Sequence, residues 1–274
     1  YPSPHRLSFE ARIPFVMAIH DLQHRLHPEF PEVSADGEWE RREYVFRNAA
    51  RTATLLLAES TVGREDILDA YGPYGLEPDR VKVLPYAPDP PISPSLLEMR
   101  RQAVRSKYEL PDRYLFYPAQ FWPHKNHLRL IEALALLRRE RGLTIPLVLT
   151  GSGSGTIRER VAVEFRKTCI ASGLDTHVRW LGYVSDEDKT GLYAGAEALV
   201  MPTFFGPTNL PFLEAWTLGC PVLTSRIRGI IEQVGDAALT VDPHRVPELA
   251  HGIAELWTGA ALRARLVAAG IQKI

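Results

Sequence analysis

"ALVMPTFFGPTNLPFLEAWTLGCPVLTS", residues 198–225, decides the architecture of this chain. Ala198–Met201 and Val222–Thr224 are short, continuously apolar runs, the pattern of strands covered on both faces. Between them Gly206–Asn209 is turn-forming. Pro211 suits the first turn of a helix, where its missing N–H would have had no partner, and Gly219 ends that helix, expected over 211–218. Strand, helix and strand in so short a span make a parallel crossover unit. A turn this dense usually lies idle on a surface. Here it opens a helix, and amides near Thr208, Asn209 and Leu210 form a place for an anion.

The same alternation extends in both directions. Strands are expected at Tyr114–Pro118, Leu147–Thr150, Val178–Leu181 and Ala238–Val241 as well, with helices near 127–140, 157–171, 186–195, 227–234 and 246–256. Six strands alternating with helices predict an α/β, doubly wound parallel sheet, with Asn126 capping the helix that follows it. The first part repeats the theme: strands at Phe15–Ile19, Thr54–Ala58 and Val81–Leu84, with helices between them. Three strands are few for a doubly wound domain, so residues 1–86 read as the later half of an N-terminal one whose beginning is absent. "PYAPDPPISPS" (85–95), with five prolines, is a stiff boundary before a second domain at 87–274. Two such domains are expected to bind ligands in the cleft between the carboxyl ends of their sheets.

A formal charge of −1 speaks against a nucleic-acid partner held by bulk attraction. Cys169 and Cys220 stand far apart in apolar surroundings, which points to free thiols in a reducing, cytoplasmic compartment. No apolar run approaches the ~18 residues of a membrane span. The basic side of "PSLLEMRRQAVRSK" admits peripheral contact with an anionic membrane and, more ordinarily, a solvated helix face. His20, His24 and His27 share one face only if their segment is helical; it reads instead as the exit loop of a strand, so no metal is expected there. "TGSGSG" (150–155) lacks the G-x-G-x-x-G spacing and reads as a loop lining a nucleotide pocket.

"LPFLEAWTLGCPVLTS" followed by "GIIEQVGDAALTVDP" resembles the donor domain of retaining, nucleotide-sugar-dependent glycosyltransferases with two Rossmann-like domains, the GT-B fold. The likeness continues through "FYPAQFWPHKNHLRLIEALALL", "LVLTGSGSG", "VRWLGYVSDEDKTGLYAGAEALVMPT", "FVMAIHDLQH" and "LLLAESTVGREDILDAYG". It implies a nucleoside diphosphate sugar as donor substrate, no further cofactor, and a glycan or glycolipid acceptor in polysaccharide, lipopolysaccharide or glycoconjugate synthesis. It places Lys125 on the donor diphosphate, Glu214 on the nucleotide ribose, and His20 beside the transferred sugar. The amide of Leu210 would approach the diphosphate, while Gly151, Tyr183 and Val184 would line the nucleotide by their backbones. The family carries two glutamates seven residues apart, and the first falls on Gly206, which has no carboxylate. Thr208, Asn209 or a rearranged loop then stands as its substitute, with Asn209 tolerating the positive φ of a family glycine. A family arginine falls on Gln120, a neutral donor.

Without the resemblance, Lys125 is an ordinary loop lysine and Glu214 a carboxylate favouring its helix dipole. Two rivals to a transferase follow. A nucleotide-sugar epimerase of this architecture needs a base that is not identifiable; a non-catalytic nucleotide-sugar-binding or scaffolding domain is favoured by Gly206 and Gln120.

Overall fold

A computed structural model describes residues 7–10 and 13–274. The chain divides into two compact units. The first comprises Tyr1–Tyr86 with two short later segments, Phe205–Thr208 and Arg228–Gln233. The second comprises Ala87–Phe204, Asn209–Ile227 and Val234–Ile274, and so is not one unbroken run from residue 87.

In the first unit β1 (Val16–Ala18), β2 (Leu55–Ala58) and β3 (Val81–Val83) form a parallel sheet in that order. Met17, Leu56 and Val81 face a core closed by Phe46 and Ala49 of the helix Glu38–Thr52 and by Ile67 and Tyr71 of the helix Thr61–Tyr71. Within this core Glu43 is buried and accepts hydrogen bonds from Arg25, at 2.5 and 2.6 Å, and from Tyr71, at 3.0 Å. Burial opposes its charge, but these donors and His24 outweigh burial and hold its pKa down to about 2.

The second unit carries β4 (Leu115–Pro118), β5 (Leu147–Thr150), β6 (Val178–Trp180), β7 (Ala198–Met201), β8 (Val222–Ser225) and β9 (Ala238–Val241). They pair in the order β6-β5-β4-β7-β8-β9, all parallel. Every residue of β5, β7 and β8 is buried, which is why their sequences are apolar without alternation. The expected helices are present, at Pro94–Lys107, His127–Arg141, Thr156–Ala171, Asp186–Gly195, Leu210–Thr217 and Val246–Thr258, and at Arg228–Val234, which groups with the first unit except for its last residue. A last helix, Ala260–Lys273, was not expected; its Gly270 packs directly on the Trp216 ring. The order reverses between β4 and β7, whose connections leave in opposite directions, and a crevice opens at such a reversal beyond the carboxyl ends of the strands.

Asn126 precedes the helix His127–Arg141 but makes no side-chain cap. Its backbone is left-handed, φ 58°, and its amide nitrogen donates to the carbonyls of Pro202 and Pro243, at 2.8 and 2.9 Å. The expected cap is instead a tie between loops.

Candidate functional site

The loop leaving β4 folds back in two tight turns, Trp122 N–H donating to Gln120 O at 2.8 Å and Lys125 N–H to Trp122 O at 2.9 Å. The next β-exit closes on it. His124 O accepts from the Phe204 amide at 2.8 Å and the Thr203 hydroxyl at 3.0 Å, and Lys125 O accepts from the buried Tyr117 hydroxyl at 2.8 Å. With Asn126 tied to Pro202 and Pro243, the backbone of Lys125 is held from several sides at the sheet's reversal point. His127 follows, stacked between Tyr117 (4.9 Å between centroids) and Phe121 (4.2 Å). Burial, and then the Lys125 charge, push its pKa down to about 3, so the imidazole is neutral.

The helix Leu210–Thr217 begins where β7 has ended, with Pro211 in its first turn and Gly219 (φ 68°) just past its end. Asn209 is buried, while Leu210 is exposed. Glu214, one turn inside, accepts from Lys189 Nζ and from the Tyr193 hydroxyl, each at 2.8 Å. It lines a cavity of about 410 Å³ with Lys189, Tyr193, Thr217, Ile92 and Asp89, all of the second unit. Burial disfavours the Lys189 ammonium, but its bond to Glu214 raises its pKa. Burial and then Glu214 keep Tyr193 a neutral donor far above the usual phenol range. Glu214 is therefore an oriented anion open to a crevice, with lone pairs left for ligand hydroxyls. Lys189 and Tyr193 escaped the sequence reading because their partner lies 25 and 21 residues away, and only a helix-to-helix contact joins them.

Gly151 sits at the exit of β5 with φ 113°, and a Cβ there would lie 2.6 Å from the Ala119 carbonyl, so only glycine permits the approach. Its amide donates to Gly182 O at 2.7 Å, joining the exits of β5 and β6. Tyr183 turns outward, 91% exposed, and Val184 is half-buried. Gln120 Oε1 accepts from Arg158 Nη1 at 2.6 Å. The second unit thus brings Gln120, Lys125, Gly151, Tyr183, Val184, Asn209, Leu210 and Glu214 onto its strand exits and the helix starts that follow. Thr208 belongs to the first unit, as does His20.

In that first unit three strand exits converge: His20 Nδ1 lies 2.5 Å from Glu59 Oε1, and the Tyr86 hydroxyl lies 3.4 Å from His20 and 3.5 Å from Glu59. Burial and the Glu59 charge push Tyr86 up to about 12. His24 and His27 go elsewhere, His24 to Glu43 at 2.9 Å and His27 to Glu29 and a stacked Phe205. Gln23–Leu26 makes a single helical turn, and the three imidazoles bond to three separate carboxylates. Among the described residues no group of three or more His, Cys, Asp or Glu side chains is placed to hold a metal, and no helix is long and apolar enough to cross a membrane.

Residues 100–273 match the family model of glycosyl transferases group 1. The chain belongs to that family. It is 37% identical over 144 residues to the O-antigen chain mannosyltransferase B of Escherichia coli, covering 52% of this chain and 36% of the relative. To the alpha-D-kanosaminyltransferase of Streptomyces kanamyceticus it is 26% identical over 270 residues, covering 96% of this chain and 66% of the relative. The chain thus spans about a third of the first relative's length and just under two thirds of the second's. Its fold is that of Anabaena Alr3699/HepE, solved in complex with UDP-glucose: TM-score 0.77, 22% identity, 97% of this chain and 70% of the other. WaaG, a glycosyltransferase involved in lipopolysaccharide biosynthesis, aligns at TM-score 0.72 with 20% identity, over 95% of this chain and 70% of the other.

In this member of the group 1 family the turn before the helix Leu210–Thr217 differs from expectation. Asn209 is extended, φ −138°, and does not take the positive φ assigned to it. The positive φ belongs to Gly206, at 137°. A side-chain-bearing residue there would be strained, so glycine suits this turn.

Proposed function

We propose that this chain carries the donor site of a glycosyltransferase that moves a hexose, mannose foremost, from a nucleoside diphosphate to an acceptor hydroxyl of a growing O-antigen or lipopolysaccharide-type glycan, with retention. The observation that carries the reading is the pinned loop 119–126 at the reversal of strand order, which presents Lys125 on a backbone tied by Tyr117, Thr203 and Asn126. Mannose is favoured by the 37% identity to a mannosyltransferase.

In this reading the diphosphate lies between Lys125 and the amides opening the helix Leu210–Thr217, and Glu214 accepts hydrogen bonds from the ribose. The bond from the anomeric carbon to the leaving phosphate oxygen breaks, and the bond to the acceptor oxygen forms on the same face. The acceptor proton passes to the departing phosphate. Lys125 and the amides stabilise the charge growing on that phosphate, and the side chains chiefly orient the reactants. His20, held by Glu59, donates to or accepts from a sugar hydroxyl.

The test is an assay of the full-length protein with a panel of nucleoside diphosphate sugars and a mannan-type acceptor, with the product anomer assigned by NMR. A new linkage of the donor's own anomeric configuration is expected. Calorimetry without binding of any nucleoside diphosphate overturns the donor site, and an inverted anomer overturns retention.

A further inference from the structure

The helix Thr156–Ala171 opens without a side-chain cap, and in its first turn stands a cation, Arg158. A positive charge there opposes the helix dipole and is mildly destabilising unless something else uses it. Its half-exposed guanidinium folds back onto the loop leaving β4. It lies over the Trp122 ring, 4.6 Å from the centroid, and Nη1 donates to Gln120 Oε1 at 2.6 Å. Gln120 is in turn fixed from below, because Gly151 lets the β5 exit press against the Ala119–Gln120 backbone and Ser152 O accepts from the Phe121 amide at 3.1 Å. Among the described residues Gln120 is the only hydrogen-bond partner of Arg158, so four of its five N–H donors have no protein acceptor. Gln120 and Lys125 share one loop, folded back by its two turns.

We propose that Arg158 is a second cation for the donor diphosphate, alongside Lys125, and that Gln120 is a positioning residue which holds the guanidinium rather than a phosphate ligand itself. Aromatic stacking and one amide acceptor orient the fork, and the remaining N–H groups suit phosphate oxygens bidentately. The positive charge that residue 120 lacks is thereby supplied from the helix after β5. The inference rests on the donor-site reading above.

Calorimetric titration of the full-length protein with a nucleoside diphosphate and the matching monophosphate tests it, in the wild type, Arg158→Ala, Arg158→Lys, Gln120→Ala and the double variant Gln120→Arg/Arg158→Ala. The expected result is a diphosphate-to-monophosphate affinity ratio about tenfold lower in Arg158→Ala, a smaller loss in Arg158→Lys and Gln120→Ala, and partial recovery in the double variant. An unchanged ratio in Arg158→Ala, with both ligands bound as in the wild type or weakened equally, overturns the role of Arg158 and leaves the donor site standing. A wild type that binds neither nucleotide overturns the donor site and this inference with it. Thermal melting of each variant separates lost binding from lost folding, and Arg158→Lys carries the test if Arg158→Ala melts early.

Discussion

At the scale of single residues, the chemistry of the second unit depends on which charges are held and which are screened. Lys125 has its backbone tied at both its own carbonyl and that of His124, so replacing it with alanine removes a charge without collapsing the loop. Lys125→Ala is expected to lower kcat/KM about a hundredfold, measured by initial rates at fixed donor, with little change in melting temperature. Glu214 differs, because Lys189 and Tyr193 both lean on it. Glu214→Gln should raise the donor KM severalfold and leave kcat nearly intact, as expected for a ribose contact formed equally in ground and transition states. His20 and Glu59 act as a pair: His20→Ala and Glu59→Gln should each lower turnover, and combining them should cost little more, which a double-mutant cycle measures. Lys125, Glu214 and His20 could be singled out by resemblance, since each sits in a recognisable run of sequence, and their roles are those proposed above. Glu59, Tyr86, Lys189 and Arg158 were not, because a partner across a sheet or between helices leaves no spacing in the chain.

Elements show the same division. The buried strands were legible nearly to the residue, since burial on both faces imposes an uninterrupted apolar run. The turn before the helix Leu210–Thr217 was not. Its composition announced a turn, but whether positive φ fell on Gly206 or Asn209 depended on the path between two elements. Gly151 is where element packing is least forgiving. Gly151→Ala combines an unfavourable φ with a backbone clash and should cost about 2 kcal/mol or more in urea unfolding, loosening Gln120 as well.

On the scale of the whole molecule, the two units meet acid differently. His127 in the second unit has its folded pKa near 3 against 6.5 when unfolded. The unfolded chain therefore binds a proton that the native unit refuses. The stability this confers is full above pH 6.5 and is lost as pH falls towards 3. Glu43 in the first unit has a folded pKa near 2 against 4.5, so its contribution persists down to 4.5 and fades only below that. Its partner His24, lowered by burial but less than His127, adds a smaller loss below 6.5. Hydrogen exchange read by mass spectrometry at pH 7 and 5.5 should show the segment around His127–Leu137 losing protection before that around Glu43–Ala50, and His127→Phe should remove much of the difference. By itself the sequence determined the parallel α/β sheets, the strand limits and the family, because hydrophobic period and turn chemistry are local properties. Only the tertiary structure decided the reversal of strand order between β4 and β7, the ties on Lys125, the partners of Glu214 and His20, and the return of a guanidinium to Gln120. Those are meetings of residues tens of positions apart, and it is the packing of elements, not the order of residues, that brings them within hydrogen-bond reach.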